Sequence, residues 1–150
     1  MNTFGIKSIA TATLFVLASL SSASASTTTC QFGTAADFTA SADVWTSTDC
    51  EGQLSGNDSE AALNGFGTDG MFGVSNWDQD SKYDKDTAAY SPAGLLTISN
   101  MNATFFQGDW SVSSWSGVDA AVLVLKGGNG YSAYLLDITA GLSGGWVTQA

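Results

Sequence analysis

The chain has 150 residues, with 14 Asp and Glu against 4 Lys and Arg, no His, and a net charge of −10 at neutral pH. A surface this acidic repels nucleic-acid phosphates and anionic lipid headgroups, which excludes both as expected partners. Without His there is no Ser-His-Asp or Cys-His pair either, so the common routes to a nucleophile are closed.

The first residues read as an export address. Lys7 supplies a positive start, Ile9 to Leu20 a short apolar core, and Ala23 and Ala25 the small-residue positions before a cleavage site. The apolar run falls short of the roughly 20 residues that a bilayer-spanning helix needs. The expectation is a signal helix over residues 1–25, removed by cleavage, and a single domain over residues 26–150. A chain of that size buries roughly two-thirds of its unfolded surface, enough for a core.

Cys30 and Cys50 are the only cysteines. In an exported chain the default is a disulfide between them, whereas a metal pair would need further ligands such as His. All of the acids except Glu51 and Glu60 are Asp, which favours turns, where a short carboxylate bonds the nearby backbone.

From Phe38 to Trp45 the chain reads as an edge strand or as irregular structure. Cys50 to Gly73 is rich in Gly, Asn and Asp and reads as turns, with one helical turn at Ser59 to Leu63 capped by Asp58 or Ser59. Trp77 opens a charged stretch to Asp86, read as an acidic loop. Strands follow after Pro92, at Leu95 to Ser99, at Thr104 to Phe106 and from Trp110 to Trp115, where Trp110 and Val112 share a face opposite Ser111 and Ser113. Ala120 to Asp137 is the strongest signal: a Val/Leu run and a Tyr/Leu run joined by Gly127-Gly128-Asn129-Gly130, a hairpin apolar on both faces and therefore central to a sheet. A last strand starts at Trp146 and runs to Thr148. The class is all-β, a small antiparallel, jelly-roll-like sandwich with a glycine-rich N-terminal half.

Two sets of residues are candidates for binding. Asp58, Asp78, Asp80 and Asp84 are acids that a loosely held Ca²⁺ would use, although Asp78 and Asp80 do not continue into an EF-hand, because Lys82, Tyr83 and Ala89 stand where an oxygen ligand, the turn Gly and the closing Glu belong. Trp45, Trp77 and Trp115 sit beside Asp, Ser or Gly and are candidates for stacking on sugars, whereas Trp110 and Trp146 lie on patterned strands and read as core. No pair of carboxylates is singled out for glycoside cleavage.

Several short runs together carry a resemblance: Cys50-Glu-Gly52, Gly56-Asn57-Asp58-Ser59, Leu63-Asn64, Phe72 to Trp77, Gly108 to Val112, Leu125 to Asp137 and Ser143-Gly144-Gly145-Trp146. The chain resembles the body of bacterial PEP-CTERM sorting-domain proteins. The resemblance implies a Gram-negative bacterium, Sec export, processing by an exosortase, and a place in the envelope or the extracellular polysaccharide matrix. It implies no catalytic residue. The family's Pro-Glu-Pro tail is not in this sequence, whose one proline is Pro92, and a domain cut short at its C-terminal end is the expectation. The function expected is therefore that of a non-catalytic surface or matrix protein without a cofactor, which contacts extracellular polysaccharide and does not insert into a membrane. The alternative is a secreted carbohydrate-binding module.

Overall fold

The computed structural model describes residues 11–17, 47–101, 107–127 and 130–147. In chain order the elements are β1 (Thr11–Leu17), β2 (Ser47–Ser55), α1 (Glu60–Asn64), a 3₁₀ turn (Met71–Gly73), β3 (Asp78–Asp84), β4 (Ala89–Tyr90), β5 (Leu96–Ser99), β6 (Gln107–Val112), β7 (Ala120–Gly127), β8 (Gly130–Leu136) and β9 (Ser143–Val147). They form a six-stranded sheet in the order β2-β8-β7-β1-β3-β4 and a three-stranded sheet in the order β5-β6-β9. The pairings are antiparallel, and the class is all-β.

The β7–β8 hairpin lies inside the larger sheet, with Leu123 opposite Tyr134 and Gly127 opposite Gly130; residues 128 and 129 of its turn lie outside the described residues. Both of its faces are apolar because both are covered. On one face Ala121, Leu123, Leu125, Tyr134 and Leu136 meet Leu96, Trp110, Val112 and Trp146 of the smaller sheet, which makes the sandwich. On the other, Val122, Val124, Tyr131 and Ala133 pack with Leu63, Met71 and Trp77 from the segment between β2 and β3. A strand buried on both sides needs an unbroken apolar run instead of an alternating one, which is the pattern of Val122 to Leu125.

The covering segment is held in place by its own polar groups. Ser59 caps α1, its hydroxyl accepting from the Ala62 amide at 3.2 Å. Asn64 acts like a strand backbone toward Trp77: its Oδ1 accepts from the Trp77 amide at 2.6 Å and its Nδ2 donates to the Trp77 carbonyl at 2.9 Å. The Trp77 ring then lies fully buried, with Nε1 donating to the Met71 carbonyl at 3.0 Å.

The smaller sheet rests on a reciprocal exchange between β6 and β9. Gly108 pairs with Trp146 and Trp110 with Gly144, so each indole lies across a position that has no side chain. A Cβ on Gly144 would stand 2.8 Å from Trp110 Nε1, and one on Gly108 2.5 Å from the Trp146 ring. Both tryptophans are buried, at 2% and 1% exposure, as the strand pattern leads one to expect.

Four sequence expectations differ from the structure. Cys50 to Ser55 is not turn but the greater part of β2, since cross-strand bonding to β8 overrides its Gly and polar content. The acidic loop is β3, a strand whose one fully buried side chain, Ser81, needs no apolar pattern. The strand expected to end at Trp115 runs from Gln107 to Val112. Within the segment read as a signal helix, Thr11–Leu17 is a strand seated between β7 and β3. Thr, Phe and Val fit a pleated surface with neighbours on both sides as readily as they fill an apolar leader. The remainder of residues 1–25, together with Phe38 to Trp45, Thr104 to Phe106 and Thr148, lies outside the described residues. Among the described residues no helix is long and apolar enough to cross a membrane.

Candidate functional site

The most concentrated polar chemistry in the described structure gathers on one carboxylate, at a point where three strands and the covering segment meet. β1 alternates cleanly: Ala12 and Leu14 face the smaller sheet, while Phe15 enters the opposite core. Thr11 and Thr13 share the Phe15 face by the period of a strand. Thr11 lies opposite Lys126 of β7, and Thr13 lies opposite Lys82 of β3 and Val124 of β7. Asp58, one residue before the cap of α1, comes down onto this row.

Asp58 Oδ2 accepts from Thr13 Oγ1 at 3.0 Å and from Thr11 Oγ1 at 3.2 Å. Its Oδ1 accepts from Lys82 Nζ at 3.1 Å and from Lys126 Nζ at 3.4 Å. Lys126 Nζ also donates to Asn57 Oδ1 at 3.1 Å. The Asp58 side chain is 2% exposed, and those of Lys82 and Lys126 are 29% and 18% exposed. Half of the 4 cationic residues of the chain are thus committed to a single acid. Burial alone would raise the Asp58 pKa, but Lys82, the Thr13 hydrogen bond and Lys126 outweigh it and hold the carboxyl below its ordinary value. Burial raises the pKa of Tyr131, and the Asp58 charge adds to the effect.

A carboxylate has about four lone-pair positions, and here four donors occupy them. The arrangement ties β7, β1 and β3 to the segment that covers them. It leaves Asp58 no open position for a cation.

The other expected cation residues are spent separately. Asp78 is exposed at the start of β3. Asp80 Oδ2 accepts from the Leu95 amide at 2.7 Å and from Ser81 Oγ at 2.6 Å, which fixes the approach to β5. Asp84 Oδ1 accepts from the amides of Asp86 and Thr87 at 2.8 and 3.3 Å, closing the turn to β4. Among the described residues no three His, Cys, Asp or Glu side chains are grouped to hold a metal ion.

The three sugar-stacking candidates separate in the same way. Trp77 has no exposed face and is a core residue, which removes it from that set. Trp115 is half-buried beyond the end of β6; its Nε1 donates to the Gly141 carbonyl at 2.8 Å, and its ring lies 6.5 Å from Trp110 at a tilt of 56°. Trp45 lies outside the described residues. Cys50 is disulfide-bonded, and Cys30, its expected partner, also lies outside them.

Sequence reasoning placed Asp58 in a cation site and missed Thr11, Thr13, Lys82 and Lys126 as its partners. One signal was present: Lys is rare in this chain, and a rare cation inside a strand is a candidate for a buried pair. Comparisons with protein-family models, with curated proteins and with solved structures find no match to this chain.

Proposed function

We propose that this chain is a non-catalytic exported protein of the bacterial cell surface or extracellular matrix, as its resemblance to PEP-CTERM sorting-domain proteins implies. The observation that carries the reading is the disulfide at Cys50, a bond that persists in oxidising compartments and is rare in the reducing cytosol. The strongly acidic composition keeps such a protein soluble and apart from anionic polymers. Its densest polar cluster, around Asp58, serves the fold.

The test is fractionation of the native cells followed by mass spectrometry of the protein. The reading expects an envelope or extracellular location and oxidised cysteines; an N-terminus at Ser26, the expected cleavage point, would leave the exported form without β1 and without the Thr11 and Thr13 bonds to Asp58. A cytosolic protein with free thiols would contradict it.

A second reading, a carbohydrate-binding module, is favoured by one observation. Trp115 is half-buried rather than fully enclosed, and the bond from its Nε1 to the Gly141 carbonyl fixes the orientation of its ring. Polysaccharides that shift the tryptophan emission of the wild type but not of Trp115→Ala would support this reading. The absence of any shift across a glycan panel would remove it.

A further inference from the structure

Lys126 stands one residue before the end of β7, opposite Thr11 of β1 and Tyr131 of β8. Its Nζ donates to two neighbouring acceptors of different kinds, Asn57 Oδ1 at 3.1 Å and Asp58 Oδ1 at 3.4 Å. An amine in hydrogen-bond contact with both a carboxamide and a carboxylate has the three parts that an amide exchange requires. These are a nucleophile, an acyl carbon with a nitrogen that can depart, and a carrier for the proton. The fold brings Lys126 and Asn57 together across 69 positions of the chain.

The surroundings favour this pair over the rest of the cluster. Thr13 and Thr11 hold Asp58 Oδ2, and the Asp58 side chain is 2% exposed, so the carboxylate stays beside Lys126. Lys82 and Lys126 share Oδ1, which sets two ammonium groups on one carboxylate and leaves one positive charge in excess at a place partly withdrawn from water. Turning the Lys126 amine into an amide removes that charge. Asn57 is exposed, which gives a departing ammonia a direct way into solvent. Lys82 has Asp58 as its side-chain partner among the described residues, and acylating it there would consume the proton carrier itself.

We propose that Lys126 and Asn57 are a self-modification site, at which the two side chains join as an isopeptide bond with Asp58 as the proton carrier. Asp58 takes a proton from the Lys126 ammonium, and the freed Nζ lone pair attacks Asn57 Cγ to form the new C–N bond. Asp58 then hands its proton to Asn57 Nδ2, the Cγ–Nδ2 bond breaks, and the ammonia that departs takes the surplus proton of Nζ with it. One ammonium ion leaves, the Asp58 carboxylate is restored, and nothing is oxidised or reduced. The event happens once per chain, without substrate or turnover. It ties the segment that covers β7 to the end of β7 by a bond that reductants do not open, and its three reacting groups all lie outside residues 1–25, so it does not rest on the export reading.

The experiment is mass spectrometry of the purified full chain, reduced and denatured, after incubation of the folded protein at neutral pH. The expected result is a mass lower than that of the sequence by one ammonia, and a digest in which the peptide carrying Asn57 is joined to the peptide carrying Lys126. Lys126→Arg keeps the charge but not the nucleophile and should retain its full mass, as should Asn57→Ala. Asp58→Asn, folded by circular dichroism, should stay unlinked; should it fail to fold, Asp58→Glu, which keeps the carboxyl but moves it, should link more slowly by about tenfold or more. A wild-type chain at its full mass would overturn the proposal. So would a loss of ammonia without the joined peptides, as succinimide formation at Asn64-Gly65 would give. A folded Asp58→Asn chain that links, or an Asp58→Glu chain that links as fast as wild type, would overturn the part assigned to Asp58.

Discussion

Replacing Asp58 by Ala tests the claim that one buried carboxylate locks the larger sheet to its cover. The substitution strands four donors. Lys82 and Lys126 are 29% and 18% exposed and can turn toward water, which discounts their share. Thr13 is fully buried and Thr11 nearly so, and their hydroxyls would lose the acceptor they share. Breaking a buried charged network costs 3–5 kcal/mol at full burial, and the partial exposure of the lysines reduces this to about 2–4 kcal/mol. Urea denaturation of the full chain measures the loss at constant ionic strength. The pH dependence supplies a second readout. Because the folded pKa of Asp58 lies below its unfolded value near 4, the stabilisation is complete above that value and disappears as the pH falls through the folded pKa. The gap between wild type and Asp58→Asn should therefore be fully present above the unfolded value near 4 and narrow as the pH falls below it. A gap under about 0.5 kcal/mol for Asp58→Ala, or one that does not change with pH, would refute the reasoning.

Other substitutions test separate parts of the fold. Gly144→Ala sets a Cβ 2.8 Å from Trp110 Nε1 and should cost about 1–3 kcal/mol by overpacking, again read by urea denaturation. Tyr134→Phe should change stability by less than about 1 kcal/mol, because among the described residues the buried phenol oxygen has only a weak contact with the Ser132 side chain; burial also raises its pKa, so absorbance titration should show one tyrosine that ionises only when the chain unfolds. Asn64→Ala removes both bonds to the Trp77 backbone and should cost about 1–3 kcal/mol, with red-shifted tryptophan emission if Trp77 loosens. Cys50→Ser, or reduction with dithiothreitol, should lower stability by about 3 kcal/mol if the bridge closes a loop of roughly 20 residues.

What could be read from the sequence depended on whether the signal was local. The β7–β8 hairpin was legible because apolar runs and a Gly-Asn turn define it within the short stretch from Ala120 to Leu136. The cap of α1 by Ser59 was legible for the same reason, as was the burial of Trp110 and Trp146. β3 was hidden because its companions cover most of it without needing apolar residues: Lys82 turns inward only to meet Asp58, a pairing across 24 positions. β1 was hidden by ambiguity, since a leader core and a two-sided strand share one composition and periodicity cannot part them. The Asp58 cluster was the least visible of all. Its members come from four segments, and the Lys126 contact spans 68 positions.

The glycines of the Gly108-x-Trp110 and Gly144-x-Trp146 repeats show the opposite case. Each glycine is spaced so that a neighbouring indole can lie flat across it, and the two repeats pair with one another in antiparallel register. A Gly-x-Trp repeated on two strands is thus a pairing signal, legible in the sequence once the geometry is known.

The most direct test of the account is the mass and N-terminal sequence of the protein recovered from the separated fractions of its own cells. The account predicts a chain that begins at Ser26 with its cysteines oxidised. A chain that begins at Met1, recovered from the cytosol with reduced cysteines, would contradict it.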